Sequence, residues 1–540
     1  MLKINLRKKN LSLKNILPPN KNHLIMIRNY LIILVVFINI YNLSAQNPKD
    51  YANSITLDEL KDKLYTYSSD DFQGRETGKE GQKIAVEYLK NHYINNGIES
   101  LISDSYFQNV PLKNVKIPEI NMVVNGKIFK NYVDFISLSS SGKDLNIDLK
   151  NVVFVNFGIN DSIYNDYNGL KVKNKIVIAL KGEPKDNEGN FVINKNNKES
   201  KWSKRGQFTL KKNIALKNGA LAFLYVDESM LTRYARRYEN ITNDPGRLAL
   251  DVDDKKSDVH GFLIGNKLAK EILKEEIDSA VSKKIKTKIS ISLQLNEEKV
   301  NSENVAAIIK GEEFPEEYII ITAHLDHVGM SDGEIYNGAD DDGSGTVAIM
   351  EIAEAFQQAV KDGHRPKRSV VFLHMTGEEK GLLGSEYYTN HDPLVSLENT
   401  VTNLNIDMIG RIDPNREEKN RNYIYLIGSD IISQDLHDVS EQTAKEYSNL
   451  VLDYRYNDPK RKVYESGRYI ENNYYYRSDH YNFAVNNIPI IFYFSGTHVD
   501  YHKPTDTADK IEYDLLQQRT KLIFHTTWEL ANRKERIKNK

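Results

Sequence analysis

The sequence predicts an α/β protein, a mixed and mostly parallel sheet flanked by helices. Two observations carry this. From Asn304 onward, apolar strand-like runs alternate with segments of helical periodicity, and residues able to do chemistry recur just after those runs. The strand-like runs are Tyr318 to Thr322, Ser369 to Leu373, Val401 to Ile406, Tyr423 to Ile427 and Ile488 to Phe494. Near-continuous apolarity is what a strand buried on both faces requires. Helical faces fall between or after them. Ile349, Ile352, Ala353, Phe356 and Val360 line one side of Thr346 to Val360, and Ile431 to Glu446 and Tyr513 to Asn532 read likewise.

Upstream, Leu57, Leu60 and Leu64 mark a first helix, and Ile84, Ala85, Tyr88 and Leu89 a second over Gly81 to Tyr93. From about Val110 to Leu293 the signal changes to short β-like runs, such as Asn151 to Phe157 and Lys175 to Leu180, around a polar stretch from Lys181 to Lys212 that reads as a long exposed loop.

Composition narrows function. The first 45 residues hold seven Lys or Arg and no acid, so the remaining 66 basic and 75 acidic residues leave −9, which gives no basic excess for nucleic acid. The absence of cysteine excludes disulfides, thiol nucleophiles and Cys-ligated zinc, so any metal must be held by His, Asp and Glu. Arg28, the apolar run Tyr30 to Ile38 and the end at Leu43-Ser44-Ala45 form a signal-peptide pattern that starts at Met26, with residues 1–25 as an over-extended start. The run is shorter than the roughly 20 residues a spanning helix needs, so no stable membrane span is expected after cleavage.

Five clusters carry chemistry: His324-Leu325-Asp326-His327 after the first strand; Asn337-Gly338-Ala339-Asp340-Asp341-Asp342-Gly343-Ser344-Gly345 opening a helix; Thr376-Gly377-Glu378-Glu379; Asn405-Ile406-Asp407; and Asp500-Tyr501-His502. Each has a bland meaning alone. A His can close a strand structurally, an Asp-rich turn can cap a helix, and a Glu pair can simply be solvated. The Asp-rich turn also lacks the Gly and Glu spacing of a calcium-binding EF-hand. Together they lie at strand C-termini, where open α/β sheets gather catalytic groups, and their imidazoles and carboxylates suit zinc.

This string of motifs resembles the family-28 zinc metallopeptidases of aminopeptidase type, a group that also includes glutamate carboxypeptidases and has glutaminyl cyclases as relatives. The resemblance implies an exported enzyme with two Zn²⁺ ions acting on peptide substrates. By position, Asp340 would bridge the ions, His324 and Asp407 would complete one site, and Glu379 and His502 the other. Glu378 would be the general base, Tyr501 the hydroxyl donor to the oxyanion, and Asp326 a supporting residue that orients His324. His327, His374, His480 and His498 are read as structural or supporting. Residues 125–285 resemble an inserted β-rich protease-associated domain, on Leu170 to Ile178 and Lys211 to Ala220. It would separate the N-terminal part of the peptidase domain, 46–124, from its main catalytic part, 286–540. The alternatives are a glutamate-carboxypeptidase-like enzyme and a non-catalytic binding ectodomain of the same fold. A one-zinc cyclase is disfavoured by the full ligand set, and the sequence leaves the oligomeric state open.

Overall fold

A computed structural model describes residues 47–540 except 104, 140–141, 195–197, 239–243, 253–258, 278–279, 417, 419 and 466–467. The signal-peptide pattern lies outside these residues. No helix among the described residues is long and apolar enough to cross a membrane.

The chain enters through α1 (Leu57–Tyr67) and α2 (Glu80–Asn96). Thr56 starts α1 as a capping box: its hydroxyl oxygen accepts from the Glu59 backbone N–H at 3.2 Å, and its hydroxyl donates to the Glu59 carboxylate at 2.7 Å. Gly97, at φ 72°, ends α2 in the left-handed conformation that costs glycine least.

Two long strands follow, β1 (Phe107–Val124) and β2 (Ile289–Ile309), paired antiparallel along nearly their whole length. The sequence showed only short runs here, because the ribbon's middle is half-exposed on both faces and lacks a clean alternation of buried and exposed residues. One end of the ribbon lies in the main sheet. At the other, Met122, Val124, Ile289 and Ile291 belong to a second core. That core sits under a six-stranded sheet in the order 283–285, 152–154, 176–180, 222–226, 260–264 and 135–139, whose inner four strands are mutually parallel. Helices Gln207–Lys217, Glu228–Tyr238 and Asn266–Leu273 accompany it. The first begins inside the stretch expected as a loop. Lys211 is fully buried there, its ammonium donating to the carbonyls of Leu180 at 2.9 Å and Gly182 at 2.6 Å, so this lysine is not the solvated residue its type suggests.

The main sheet holds β3 (Phe314–His324), β4 (Arg368–Met375), β5 (Thr400–Ile406), β6 (Tyr423–Ile427) and β7 (Ile490–Phe494). It runs 451–453, β6, β7, β5, β3, β4, β2, β1, 127–129. The central β7, β5, β3 and β4 are parallel, with antiparallel partners on either side. This is the mixed α/β architecture expected, but the sheet is not mostly parallel: the parallel pairing is concentrated in these central strands, and the long β1–β2 ribbon and its neighbours add antiparallel pairs. Between β3 and β4 the chain passes through α3 (Gly345–Lys361), which is buried on nearly every side over its first twelve residues, and α4 (Tyr513–Asn532) closes the same face. Phe356 packs on Phe524 and Trp528 with ring centroids 5.1 and 5.5 Å apart. After β4 the chain returns to the far side of β3 as β5. That reversal of strand order opens a crevice at the carboxyl ends of β4, β3 and β5.

Two buried arginines hold the crevice loops by donating to carbonyls. Arg75 reaches Leu325 (3.2 Å), Tyr67 (3.1 Å), Asn337 (2.7 Å) and Gly338 (2.8 Å). Arg519 reaches Tyr423 (3.0 Å), Ile409 (2.6 Å) and Arg411 (2.8 Å). Buried carbonyls left without donors are costly, so Arg75→Ala is expected to destabilise the fold by roughly 3 kcal/mol or more, read as a lowered denaturant midpoint.

Burial also fixes two neutral histidines. His374, bonded at Nε2 to the Tyr93 hydroxyl (2.7 Å), and His480, stacked on Phe492 at 4.6 Å, are each pushed down to about 3, His374 chiefly and His480 almost wholly by loss of water. Their folded values lie below the unfolded value of about 6.5, so their contribution is complete above pH 6.5 and is lost as pH falls towards 3. His374→Gln is expected to flatten the acid side of the stability-against-pH curve by up to about 1.4 kcal/mol per pH unit, measured by denaturant unfolding between pH 7 and 5.

Candidate metal centre

Each chemistry-bearing cluster leaves the sheet at the same rim. His324 is the last residue of β3, and Asp407 directly follows β5. Glu378 and Glu379 follow β4 after a turn at Gly377, whose φ of 69° a side chain would strain. Tyr501 and His502 lie in the loop beyond β7. The Asp-rich loop, Ala339–Ser344, leads into α3.

One ring nitrogen of His324 is spoken for. Nδ1 lies 2.8 Å from the Asp326 backbone carbonyl, which can only accept, so Nδ1 carries a proton and Nε2 is the nitrogen turned towards the carboxylates. That Nε2 lies 3.1 Å from Asp341 Oδ1 and 3.7 Å from Asp407 Oδ1. On the other side of the same carboxylate, Asp341 Oδ2 is 3.1 Å from His502 Nε2, which is also 3.1 Å from Glu379 Oε2. His324, Asp341 and Asp407 form one group with the spacing of a cation site; His327, Asp341 and Glu379 form another.

The sequence expectation therefore needs a one-residue correction. Asp340 does not face the histidines of the two groups; Asp341 does. The loop is extended at Asp341 (φ −102°, ψ 99°), so successive side chains alternate in direction. Asp340 and Asp342 turn towards the 408–410 segment, where Oδ1 of Asp340 accepts from Gly410 N at 2.6 Å and Oδ1 of Asp342 from Met408 N at 3.1 Å. The remaining oxygen of Asp340 faces His498 Nε2 at 3.3 Å. Asp506 accepts from the backbone N–H groups of both Asp340 and Asp341, at 3.0 and 3.2 Å, and so fixes the loop that points Asp341 outward.

Asp326 was expected to orient His324, and it contacts the ring at Nδ1. The orienting atom is its backbone oxygen, and the carboxylate accepts instead from Thr77 Oγ1 at 2.7 Å and Glu378 N at 3.2 Å. Tyr501 stacks on His502 with ring centroids 3.9 Å apart, and its hydroxyl accepts from Arg477 Nη2 at 2.8 Å. Arg477 and Tyr501 line a small cavity of about 30 Å³ with Asp341, Glu378, Asp407 and His502. Arg411 is engaged elsewhere, 3.0 Å from Asp500.

The electrostatics call for cations. Burial works to raise Asp341 and Glu379, but the facing imidazoles outweigh it, holding Asp341 well below the ordinary carboxylate range and Glu379 at about 2. Burial works to lower His324 and His502, yet the surrounding carboxylates lift His324 well above its usual value and His502 to about 10. Glu378 behaves differently: loss of water pushes it well above its usual value. His324 Nε2, Asp341 Oδ2 and Glu379 Oε1 are buried without a hydrogen-bond partner among the described residues. Imidazole nitrogens and carboxylate oxygens gathered this closely, with these three left without hydrogen bonds, have the spacing that co-ligands of one ion have. The donor set of imidazole and carboxylate fits zinc.

Comparison with known proteins agrees in kind. The sequence pattern of Peptidase family M28 matches residues 304–527. Aminopeptidase YwaD of Bacillus subtilis is 30% identical over 151 residues, 27% of this chain and 30% of that protein. A protein of Arabidopsis thaliana named as a probable glutamate carboxypeptidase, LAMP1, is 34% identical over 105 residues, 19% of this chain and 14% of its own length. The chain thus spans less than a third of either relative. Among solved structures, an aminopeptidase from Aneurinibacillus sp. strain AM-1 aligns over 91% of this chain and 97% of its own, with 17% identity and a TM-score of 0.46.

Proposed function

We propose, from the match of residues 304–527 to Peptidase family M28, that the protein is a dinuclear zinc aminopeptidase, exported, that removes N-terminal residues from peptides. One observation carries the reading: the two oxygens of a single buried carboxylate, Asp341, each lie 3.1 Å from a different histidine, in a cluster where His324 Nε2, Asp341 Oδ2 and Glu379 Oε1 lack hydrogen-bond partners among the described residues.

In this reading Asp341 bridges, His324 and Asp407 complete one site, and Glu379 and His502 complete the other. Zinc held there would supply a water of lowered pKa and a Lewis acid for the scissile carbonyl. The rest falls to side chains. Glu378 borders the cavity, and its carboxylate faces the charge of His324 without being one of the grouped cation ligands; there it accepts the proton of the attacking water and passes it to the leaving amine. The Tyr501 hydroxyl already accepts from Arg477, so its own proton is free to be donated to the developing oxyanion. The aromatic side chains of Tyr474, Phe492 and Phe494 also line the cavity and give it an apolar wall beside the reacting groups.

Arg477 on the cavity wall supports a second reading, a carboxypeptidase of the glutamate type, because a guanidinium there could hold a substrate carboxylate. Aminoacyl and N-blocked peptide chromogens separate the two. Cleavage of unblocked substrates only, abolished by chelator and restored by zinc, is the expected result. Equal cleavage of blocked peptides would reject the aminopeptidase reading, and indifference to chelator would reject both.

A further inference from the structure

His327 has no place in the ligand scheme above, yet its surroundings do not fit a structural histidine. It is fully buried, and neither ring nitrogen finds a hydrogen-bond partner among the described residues. Burying an imidazole with both nitrogens idle is costly, and such groups almost always have a partner. Its Nδ1 lies 2.8 Å from Glu379 Oε1 and 3.8 Å from Asp341 Oδ2, and its ring meets that of His502 edge-on, with centroids 5.7 Å apart.

The ring is held in place from outside the centre. The His327 backbone N–H donates to the Arg75 carbonyl at 3.3 Å, and the ring packs against Gly338, where a Cβ would come within 2.4 Å of Cδ2. Atoms bound about 2.0–2.1 Å from a tetrahedral zinc lie roughly 3.3 Å from one another. The contacts among His327, Asp341, Glu379 and His502 run from 2.8 to 3.8 Å, which brackets that spacing.

We propose that His327 is a fourth protein ligand to the cation held by Asp341, Glu379 and His502. The inference rests on the two-zinc reading. Its consequence is asymmetry. A site with four protein ligands is closed, as structural zinc sites are, whereas His324, Asp341 and Asp407 leave a position open. An ion held by His327, Asp341, Glu379 and His502 would be bound tightly and would fix the Asp341 carboxylate, whereas an ion held by His324, Asp341 and Asp407 would be the more exchangeable one.

The test uses the full chain loaded with zinc, dialysed against graded chelator, with zinc per chain measured at each step. The parent is expected to lose its ions in two separated steps. His327→Ala should weaken the tighter ion by at least about 100-fold, and the cobalt-substituted protein should change its visible absorption because that ion loses a nitrogen ligand. His327→Gln controls for packing and for simple hydrogen bonding to Glu379, and it should show the same loss. If either variant keeps both steps and the parent cobalt spectrum, His327 is not a ligand and the inference is overturned, with the two-zinc reading intact. A parent chain that binds fewer than two ions would overturn both.

Discussion

Glu378→Gln is expected to lower kcat by roughly 10²- to 10⁴-fold, the range a lost general base produces, while zinc content stays at the parent level. The geometry separates the two functions of the Glu pair. Adjacent residues leaving a strand end point different ways. Glu379 places its carboxylate 3.1 Å from His502 and 2.8 Å from His327, whereas Glu378 borders the cavity beside Asp341, Asp407 and Tyr501. Its backbone N–H is anchored on the Asp326 carboxylate at 3.2 Å, so the amide of the Gln variant keeps the backbone and the shape. Only proton acceptance is lost. The loss should fall on kcat more than on KM, because the proton moves only in the transition state. Activity within tenfold of the parent, with full zinc, would remove Glu378 from the role of base.

The rim of the sheet was legible before the structure because strand ends are. Continuous apolar runs before His324, Glu378 and Asp407, and the run before Tyr501 and His502, place these residues on one edge once the strands are parallel. Parallel strands are what helices between buried runs imply. At the site itself, two things stayed hidden for physical reasons. Three consecutive aspartates differ in nothing but backbone direction, and that direction is set by Asp506, Met408 and Gly410, all remote in sequence. His327 offered only a lone histidine past a strand, and what marks it is burial with unpaired nitrogens, a property no single sequence displays. The long β1 and β2 ribbon escaped for a third reason: its half-exposed residues lack the clean alternation of a sheet face, and pairing holds it together over sixteen residues of register where pattern does not. The helix at 207–217 was missed because lysines were counted as solvated, and Lys211 satisfies its charge on carbonyls instead.

The one-residue question in the Asp-rich loop yields the other large effect. Asp341→Asn is expected to cost both ions, since each oxygen of this carboxylate faces a different histidine and the amide offers one weak donor atom in place of two anionic ones. Zinc per chain should fall from two to near none, and activity with it. Asp340→Asn should do neither. Its carboxylate serves the fold, accepting from Gly410 N at 2.6 Å and facing His498 at 3.3 Å. An amide can keep the first contact and weakens the second, so the expected cost is about 1–3 kcal/mol of stability, with zinc still bound. Metal analysis and thermal melting of the two variants side by side separate the roles, because the alternating backbone allows only one of these neighbours to face the ions. The reverse pattern, zinc lost in Asp340→Asn and kept in Asp341→Asn, would return the bridge to Asp340 and mean that the loop turns over when metal binds.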